Sequence, residues 1–259
     1  MPTAVPLDRR RGINNRLLLA LPPETLDRLL RISEPLSLGK GQQIEAAGQP
    51  LKHIHFVNRG LVCATKTTED GRTVEIAAIG IEGTTEFVTL LGIDRAIVDM
   101  VVRIPGTAVR ISRQAFMREI ENDKPLRQLM QDYVRFGLSE LARHIACNRL
   151  HRLDQRCCRW LLIAHDDAMS DEFPLTHEDL AMMLGYQRAG VSIIMASLVK
   201  AGLIEHKRGK VIVRNRPGLE VAACECYCEM NDELNEFLPR SRKTAQLFEF
   251  IQSEISKRR

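Results

Sequence analysis

Short apolar runs alternate with polar residues between positions 34 and 111, and glycines separate the runs. This spacing is typical of strands joined by tight turns, so it predicts an antiparallel β-roll or sandwich. The tetrapeptide from Glu69 to Arg72 contains an Asp-Gly pair, which favours a hairpin turn between two strands. The runs contain Ile54, Phe56, Val57, Leu61, Val62, Val74, Ile76, Val98, Met100 and Val102. The separating glycines are Gly39, Gly41, Gly48, Gly60, Gly71, Gly80, Gly83 and Gly106.

A helical period replaces this pattern from about Pro125 to Cys147, where apolar residues recur every three or four positions. A helix of this length buries an apolar seam best against a second copy of itself, as in a coiled coil, and Gly137 would allow close approach or a slight bend. The alternative, a long helix packed only within its own chain, stays open. The seam consists of Leu126, Leu129, Met130, Tyr133, Val134, Leu138, Leu141 and Ile145.

The stretch from Leu175 to Arg214 predicts two short helices followed by a hairpin. Thr176 can cap the first helix, and Asp179, three residues later, completes a capping box. Gly185 allows a sharp turn before a second helix from about Arg188. The first helix buries Leu180, Met183 and Leu184, and the second buries Val191, Ile194, Leu198 and Val199 while Gln187, Arg188, Ala189 and Ser192 face outward. Leu203 and Ile204, then Val211 to Val213, flank a basic H-K-R-G-K tip.

A helix pair with a short turn places its second helix where side chains can enter a DNA major groove, and a basic hairpin beside it can meet phosphates. An isolated helix pair also occurs in proteins that never touch DNA. The basic hairpin in the right order and at the right distance favours DNA binding.

The remaining segments predict shorter elements. Residues from Met1 to Arg16 are polar and rich in arginine, as in a mobile arm, and a short helix should begin at Pro23. Further helices are expected around Phe116 and from Leu150 to Ala168. After residue 219 comes a charged tail that could form an amphipathic helix through Leu234, Phe237, Leu247, Phe248 and Ile251.

Composition narrows the class of protein. The 259 residues suggest about two domains, and a net charge of +4 is modest, so basic clusters matter more than the total. Seven cysteines, an odd number, argue for a reducing compartment, and no membrane-span run or secretory leader is evident, so a cytoplasmic location is expected. No phosphate-binding loop, nucleophile elbow or H-E-x-x-H motif indicates an enzyme.

The segment L-T-H-E-D-L-A-M-M-L-G-Y-Q-R-A-G-V-S, followed by L-V-K-A-G-L-I and the basic hairpin, resembles the cyclic-AMP receptor protein and fumarate-nitrate regulator (Crp/Fnr) family. The resemblance covers about residues 26 to 220 and implies an α+β fold. It implies a β-roll sensor domain over 26–124, a dimerisation helix over 125–149 and a winged helix-turn-helix DNA-binding domain over 150–218. Outside the resemblance we expect an N-terminal arm over 1–25 and a C-terminal extension over 219–259. The implied partners are double-stranded DNA, a second copy of the chain, RNA polymerase and an unidentified small-molecule effector, with no membrane.

Nucleotide-binding members of this family clamp the cyclic phosphate with an Arg followed by Ser or Thr. Here Glu82, Glu86 and Arg95 are the candidate effector-binding residues, but Ala96 follows Arg95. The resemblance therefore predicts a sensor that does not use a cyclic nucleotide. Iron-sulfur members use several cysteines near the N-terminus, whereas the first cysteine here is Cys63.

Three further cysteines stand in the motif C-E-C-Y-C. The two-residue spacing of Cys224, Cys226 and Cys228 suits neither a C-x-x-C zinc site nor one helix face, which leaves a metal or redox role and simple packing both open. No cofactor and no metal site is predicted.

By resemblance, Arg188 is the arginine that contacts a base, while Ala189 and Ile193 replace the family's Glu and second Arg. Gln187 and Ser192 are the next candidates for base contacts. Phosphate contacts are expected from Thr176, His177, Lys207, Arg208 and Lys210. The predicted function is a dimeric, sequence-specific transcription regulator. The alternative is a small-molecule or redox sensor whose main output is ligand binding or assembly.

Overall fold

The computed structural model describes residues 12–238. Two sequence predictions therefore lie partly outside the described residues. One is the arm over its first eleven residues, and the other is the amphipathic tail at Leu247, Phe248 and Ile251.

Two short helices open the described chain, α1 (Arg16–Ala20) and α2 (Pro23–Arg31). Asn15 caps α1 by accepting a hydrogen bond from the Leu18 backbone N–H, and its side-chain amide donates to the carbonyls of Val57 and Gly83 at 2.9 and 2.8 Å. Ile13 and most of the leucines of these helices are buried. The predicted arm over 1–25 is therefore wrong for residues 13–25, because these apolar side chains cover one side of the sensor domain.

The sensor domain is an antiparallel sheet, as predicted. The strands are β1 (Ser33–Leu38), β2 (Gln43–Glu45), β3 (His53–Thr67), β4 (Thr73–Ile79) and β5 (Asp99–Ser112). Their order in the sheet is β1-β5-β3-β4, and β2 also pairs with β5. The Glu69 to Arg72 hairpin joins β3 to β4 as expected, with the Thr68 N–H donating to the Arg72 carbonyl at 2.9 Å.

Gly60 and Gly106 correct the prediction that the glycines separate strands. Both lie inside strands, β3 and β5, where the register shifts on either side of Gly60. Gly60 has a φ of +92°, and a Cβ at Gly106 would lie 1.9 Å from the Arg59 carbonyl oxygen. The two backbones approach so closely that only glycine fits, which produces a bulge and not a turn.

Three helices connect the domains: α3 (Arg113–Asn122), α4 (Lys124–Leu150) and α5 (Leu153–Ala168). Asp123 caps α4 by accepting from the Leu126 N–H at 2.8 Å, with Pro125 in the first turn as predicted. Gly137 does allow a close approach, but to Phe87 of the same chain, since a Cβ there would lie 3.2 Å from that ring.

The seam predicted along α4 divides into two faces. Leu126, Met130 and Tyr133 are already buried within the single chain. This part of the seam therefore needs no second copy to cover it. Leu138 and Ile145 are 55% and 71% exposed. The reason is that the sensor sheet and a 3-10 helix, Phe87–Leu91, cover only one side of the N-terminal half of α4.

The C-terminal domain contains β6 (Glu172–Pro174), α6 (His177–Leu184), α7 (Arg188–Lys200), β7 (Ile204–Lys207) and β8 (Lys210–Val213). The predicted β7–β8 hairpin forms, and β6 adds an unpredicted third strand in the order β6-β8-β7. On α7, Val191 and Leu198 are buried as predicted, but Val199 is 41% exposed and Met195 takes its place in the core. The helix follows the i, i+4, i+7 row, which Met195 continues and Val199 leaves.

Two further helices complete the described residues after the β7–β8 hairpin. They are α8 (Arg216–Ala222) and α9 (Cys226–Phe237). Tyr227 and Leu234 of α9 are buried, Tyr227 in the core of the C-terminal domain and Leu234 in the core of the sensor. The extension is therefore part of the packed structure as far as residue 238. No single helix within residues 12–238 is long and apolar enough to cross a bilayer, and only α6 and α7 taken together as a bent pair reach that length and apolarity.

Candidate functional site

The helix-turn-helix is built on local hydrogen bonds. Thr176 Oγ1 accepts from the Asp179 N–H at 3.0 Å, and the Asp179 carboxylate accepts from the Thr176 N–H at 3.1 Å, which completes the predicted capping box. Gly185 ends α6 with a φ of 59°. The axes of α6 and α7 are bent by 113° relative to one another, within the range typical of a helix-turn-helix.

The outer face of α7 carries the predicted base-contacting residues. Gln187, Arg188 and Ala189 are all exposed at its N-terminal end. Ile193 follows on the helix surface and is 72% exposed. Arg188 lies 3.7 Å from the Glu178 carboxylate of α6, and both side chains are more than two-thirds exposed, so this ion pair contributes little stability and leaves the guanidinium accessible.

A hydrogen bond between His177 of α6 and Ser192 of α7 links the two helices. The Nδ1 atom of His177 lies 2.8 Å from Ser192 Oγ, and its ring stacks on His206 with centroids 4.5 Å apart. Burial, and then the neighbouring His206 and Arg188, lower the pKa of His177. Of the two residues expected at phosphates, Thr176 thus bonds within the cap of α6. His177 connects α6 to α7 and to the β7–β8 hairpin, which is called the wing below. The stacking on His206 is a contact that sequence reasoning missed.

The hairpin tip exposes its basic residues. Arg208 and Gly209 form the turn with φ of 50° and 74°, the signs that a two-residue hairpin needs. Lys207 lies 3.3 Å from Glu205, and Lys210 lies 2.5 Å from Glu172. Within residues 12–238, Arg208 has no ion pair, so its charge points to solvent without a carboxylate partner.

In the sensor domain, two buried carboxyl groups lie where the strands meet the 3-10 helix. Glu86 is 2% and Glu45 8% exposed. Burial raises the pKa of Glu45 to about 7, and burial together with the charge of Glu45 raises the pKa of Glu86 to about 8. His55 lies 3.6 Å from Glu45 and 3.3 Å from Thr85 Oγ1, and burial lowers its pKa to about 4. Among residues 12–238 no ion pair joins an Arg or Lys to Glu45 or Glu86, so burial favours the protonated form of both carboxyl groups.

The three predicted effector residues have separate surroundings. Glu82 accepts from the Gly80 N–H at 2.9 Å and meets Asp167 of α5, and burial raises the pKa of both carboxyl groups. Arg95 is exposed and donates to the Gly48 carbonyl at 2.9 Å. No hydrogen bond between residues 12 and 238 joins two of Glu82, Glu86 and Arg95. Their role as one effector-binding site stays a prediction.

A cavity of about 540 Å³ lies between the sensor sheet and helices α4, α5, α8 and α9. Trp160 Nε1 donates to the buried Glu75 carboxylate at 3.2 Å, which joins β4 to α5 across the cavity wall. Arg216 bonds Asp166 at 2.6 Å on another side. Sequence reasoning missed this cavity because its walls come from segments more than a hundred residues apart.

Four side chains of metal-ligating types meet at the end of α4. Cys147, His151, Cys224 and Cys226 place their ligand atoms within 4.8 Å of one another. Cys228, the third cysteine of the C-E-C-Y-C motif, is exposed and lies outside this group. The motif by itself pointed equally to Cys224, Cys226 and Cys228, and it gave no indication of Cys147 or His151.

Two family models match the chain. Residues 35–123 match the cyclic nucleotide-binding domain, and residues 155–222 match the Crp-like helix-turn-helix domain. No curated protein sequence matches the chain.

Solved structures with the same fold include regulators from several bacteria. FixK2 from Bradyrhizobium japonicum is 17% identical, with a TM-score of 0.63, over 74% of this chain and 98% of that one. TTHB099 from Thermus thermophilus, described as a CRP family transcriptional regulator, is 18% identical, with a TM-score of 0.61, over 73% and 96%. CLP from Xanthomonas campestris, described as a c-di-GMP responsive global regulator, is 17% identical, with a TM-score of 0.58, over 73% and 98%. With both domain models matched in this order on this fold, the chain belongs to the Crp/Fnr family of transcription regulators.

Proposed function

We propose that this regulator binds a two-fold symmetric DNA site as a homodimer and that its sensor domain does not use a cyclic nucleotide. The observation that supports DNA binding is the exposed N-terminal end of α7, which carries Arg188, together with the exposed basic residues at the tip of the β7–β8 hairpin, the wing. An α-helix presented in this way fits a major groove, and the wing fits the adjacent phosphates. RNA polymerase is a further proposed partner, and no catalytic activity is proposed.

In this proposal Arg188 makes hydrogen bonds to a base and Ile193 makes an apolar contact with one. A guanidinium can donate two parallel hydrogen bonds to O6 and N7 of guanine, and an exposed apolar side chain suits the methyl group of thymine. Gln187 and Ala189 lie on the same exposed end, while Ser192 is partly occupied by His177. Thr176 and His177 are half-buried, whereas Lys207, Arg208 and Lys210 carry exposed positive charges at the hairpin tip. We therefore assign the main phosphate contacts to these three residues.

Arg188→Ala is expected to relax base preference at one position in each half-site, by about 1–3 kcal/mol for the preferred base pair. Arg208→Ala, on the wing, is the comparison variant and should weaken all sequences about equally while lowering the salt dependence. Selection of bound sites from a random duplex library, followed by gel-shift titration at two salt concentrations, measures both effects. If Arg188→Ala left affinity and site preference unchanged, α7 would not be the helix in the major groove.

The homodimer is proposed from the outward face of α4. Val134, Leu138, Leu141 and Ile145 are spaced four, three and four residues apart, which is the a/d spacing of a coiled coil. Val134 and Leu141 are half-buried, and Leu138 and Ile145 are mostly exposed. A second copy of the same helix matches this stripe in length and chemistry, and two recognition helices are what a symmetric site requires.

The absence of a cyclic-nucleotide response is proposed from the charges inside the sensor. A cyclic phosphate needs a cation or several free N–H donors in a pocket. Arg95 is exposed and bonded to Gly48, while Glu45 and Glu86 occupy the interior. Any ionisation of these acids would repel a phosphate, so the interior suits a neutral ligand or none.

Cyclic AMP is expected to bind weakly or not at all to the full chain. Isothermal titration calorimetry with a cyclic-AMP solution measures this directly, and Arg95→Ala should not change the result. Saturable binding with a micromolar dissociation constant, lost in Arg95→Ala, would mean that Arg95 moves inward to act as the phosphate clamp.

The second candidate function, a sensor whose main output is ligand binding or assembly, is favoured by the 540 Å³ cavity between the domains. Its size is in the range of small-molecule sites. The two candidates differ in a single outcome of the duplex selection, because only the first predicts enrichment of a symmetric sequence.

A further inference from the structure

The end of α4 and the chain between α8 and α9 bring three thiols and one imidazole together. Cys147 lies in the last turn of α4, and His151, four residues later, is the residue that ends the helix. Cys147 Sγ lies 3.6 Å from Cys224 Sγ, and Cys226 Sγ lies 3.6 Å from His151 Nδ1. The three cysteines are buried and form a small cluster of their own.

These distances match the edges of a tetrahedron around one metal ion. With Zn–S bonds of ~2.3 Å and Zn–N bonds of ~2.0–2.1 Å, tetrahedral geometry places ligand atoms ~3.5–3.8 Å apart. An iron-sulfur cluster holds its thiolates around several iron atoms, and therefore farther apart than ligands that share one ion. We propose that Cys147, His151, Cys224 and Cys226 bind a single zinc ion in a closed Cys₃His site.

His151 has the second partner that a zinc-binding histidine usually has. Its Nε2 atom lies 2.9 Å from the Glu225 carboxylate, while Nδ1 faces Cys226. A carboxylate that accepts from the far ring N–H fixes the tautomer and leaves the other nitrogen free to bind a metal. The residue between the two cysteines of the C-x-C segment thus orients the fourth ligand.

The charge around the cluster also fits a thiolate-rich site. Three thiolates and a neutral imidazole around Zn²⁺ carry one net negative charge, which a buried site must offset. Arg156 and Arg159 of α5 interact electrostatically with the cluster, Arg156 with Cys147 and Cys224, and Arg159 with Cys147. Arg159 is itself buried, and its Nε has no hydrogen-bond partner among residues 12–238.

Zinc at this position would join three elements at the boundary between the domains. His151 belongs to the two-residue link between α4 and α5, and Cys224 and Cys226 precede and begin α9. Binding releases the thiol protons to solvent, so no oxidant or reductant takes part. The ion would fasten the C-terminal extension to the point where the DNA-binding domain leaves α4, which gives the C-x-C motif a structural role.

The test is metal analysis of the full-length protein, purified with a reductant and without chelators. Elemental analysis and native mass spectrometry should find one zinc per chain without stoichiometric iron or sulfide. Cys226→Ser should lose the zinc, whereas Cys228→Ser, the matched control in the same motif, should retain it. Glu225→Gln should weaken zinc binding by about 10–100-fold.

Four results would overturn the proposal. Three concern the unmodified protein: stoichiometric iron with sulfide, a Cys147–Cys224 disulfide in the freshly isolated protein, and no zinc bound after incubation with excess zinc. The fourth is equal zinc loss in Cys226→Ser and Cys228→Ser. If Cys226→Ser fails to fold, Co²⁺ substitution of the unmodified protein still decides, because tetrahedral thiolate ligation gives intense ligand-field and charge-transfer bands that other geometries lack.

Discussion

Ile145→Glu is expected to convert the proposed homodimer into a monomer. Ile145 is 71% exposed in the single chain and lies on the outward stripe of α4 with Leu138. Burial of one such side chain contributes about 1.5–3 kcal/mol, and a two-fold interface contains it twice. The substitution should therefore raise the dimer dissociation constant by at least about a hundredfold, with a further increase from burying the charge.

Sedimentation velocity at micromolar concentration measures this change. The matched control is Val221→Glu, since Val221 is an apolar side chain that is 88% exposed on α8, away from the stripe. The control should stay dimeric, and Ile145→Glu should also lose binding to a symmetric DNA site while keeping its helical circular dichroism. An unmodified protein that sediments as a monomer at every accessible concentration would contradict the proposed dimer and the symmetric-site model with it.

Glu86→Gln is expected to stabilise the protein in alkaline solution. The pKa of Glu86 is raised from 4.5 to about 8, first by burial and then by the charge of Glu45. Between these two values the folded chain holds a proton that the unfolded chain releases, so the stability is complete below the unfolded pKa and is lost as pH rises through the folded pKa. The shift corresponds to about 5 kcal/mol in all. Glutamine cannot ionise, which removes this loss.

Urea unfolding of the full chain at about pH 5 and at about pH 9 gives the comparison. Glu86→Gln should be several kcal/mol more stable than the unmodified protein at the higher pH and similar to it at the lower pH. Glu178→Gln, at an exposed position on α6, is the control and should follow the unmodified protein. A Glu86→Gln variant with the same loss of stability between the two pH values would show that Glu86 ionises without cost, in contact with water.

Several elements follow from residues close together in the chain. The capping box of Thr176 and Asp179, the turn at Gly185 and the hairpin at residues 69–72 each depend on four or five neighbouring positions. Local backbone preferences decide such features, so they can be predicted without knowledge of the fold. The long helix from Lys124–Leu150 was predictable for the same reason, because its apolar period repeats over many turns.

The same local signals are ambiguous where the outcome depends on what lies opposite. Gly60 resembles a turn residue in the sequence, but it faces the backbone of β5 near Gly106 and allows a bulge. On α4 the apolar period is continuous, yet the sensor covers only the positions near Leu126 and Met130 and leaves Ile145 outside. Periodicity predicts that a face is apolar and does not say what covers it.

The sequence by itself determined the order of the main elements, the helix-turn-helix with its basic hairpin and the exposed position of Arg188. Only the tertiary structure decided which distant side chains share an environment. Cys147 and Cys224 are 77 residues apart, and Glu75 and Trp160 are 85 apart, yet each pair is in contact. Contacts between residues so far apart in the chain depend on how whole domains pack. The spacing of residues within a single segment contains no information about that packing. For that reason the C-x-C motif is recognisable as a candidate metal site only in the structure, where Cys147 and His151 at the end of α4 lie beside it.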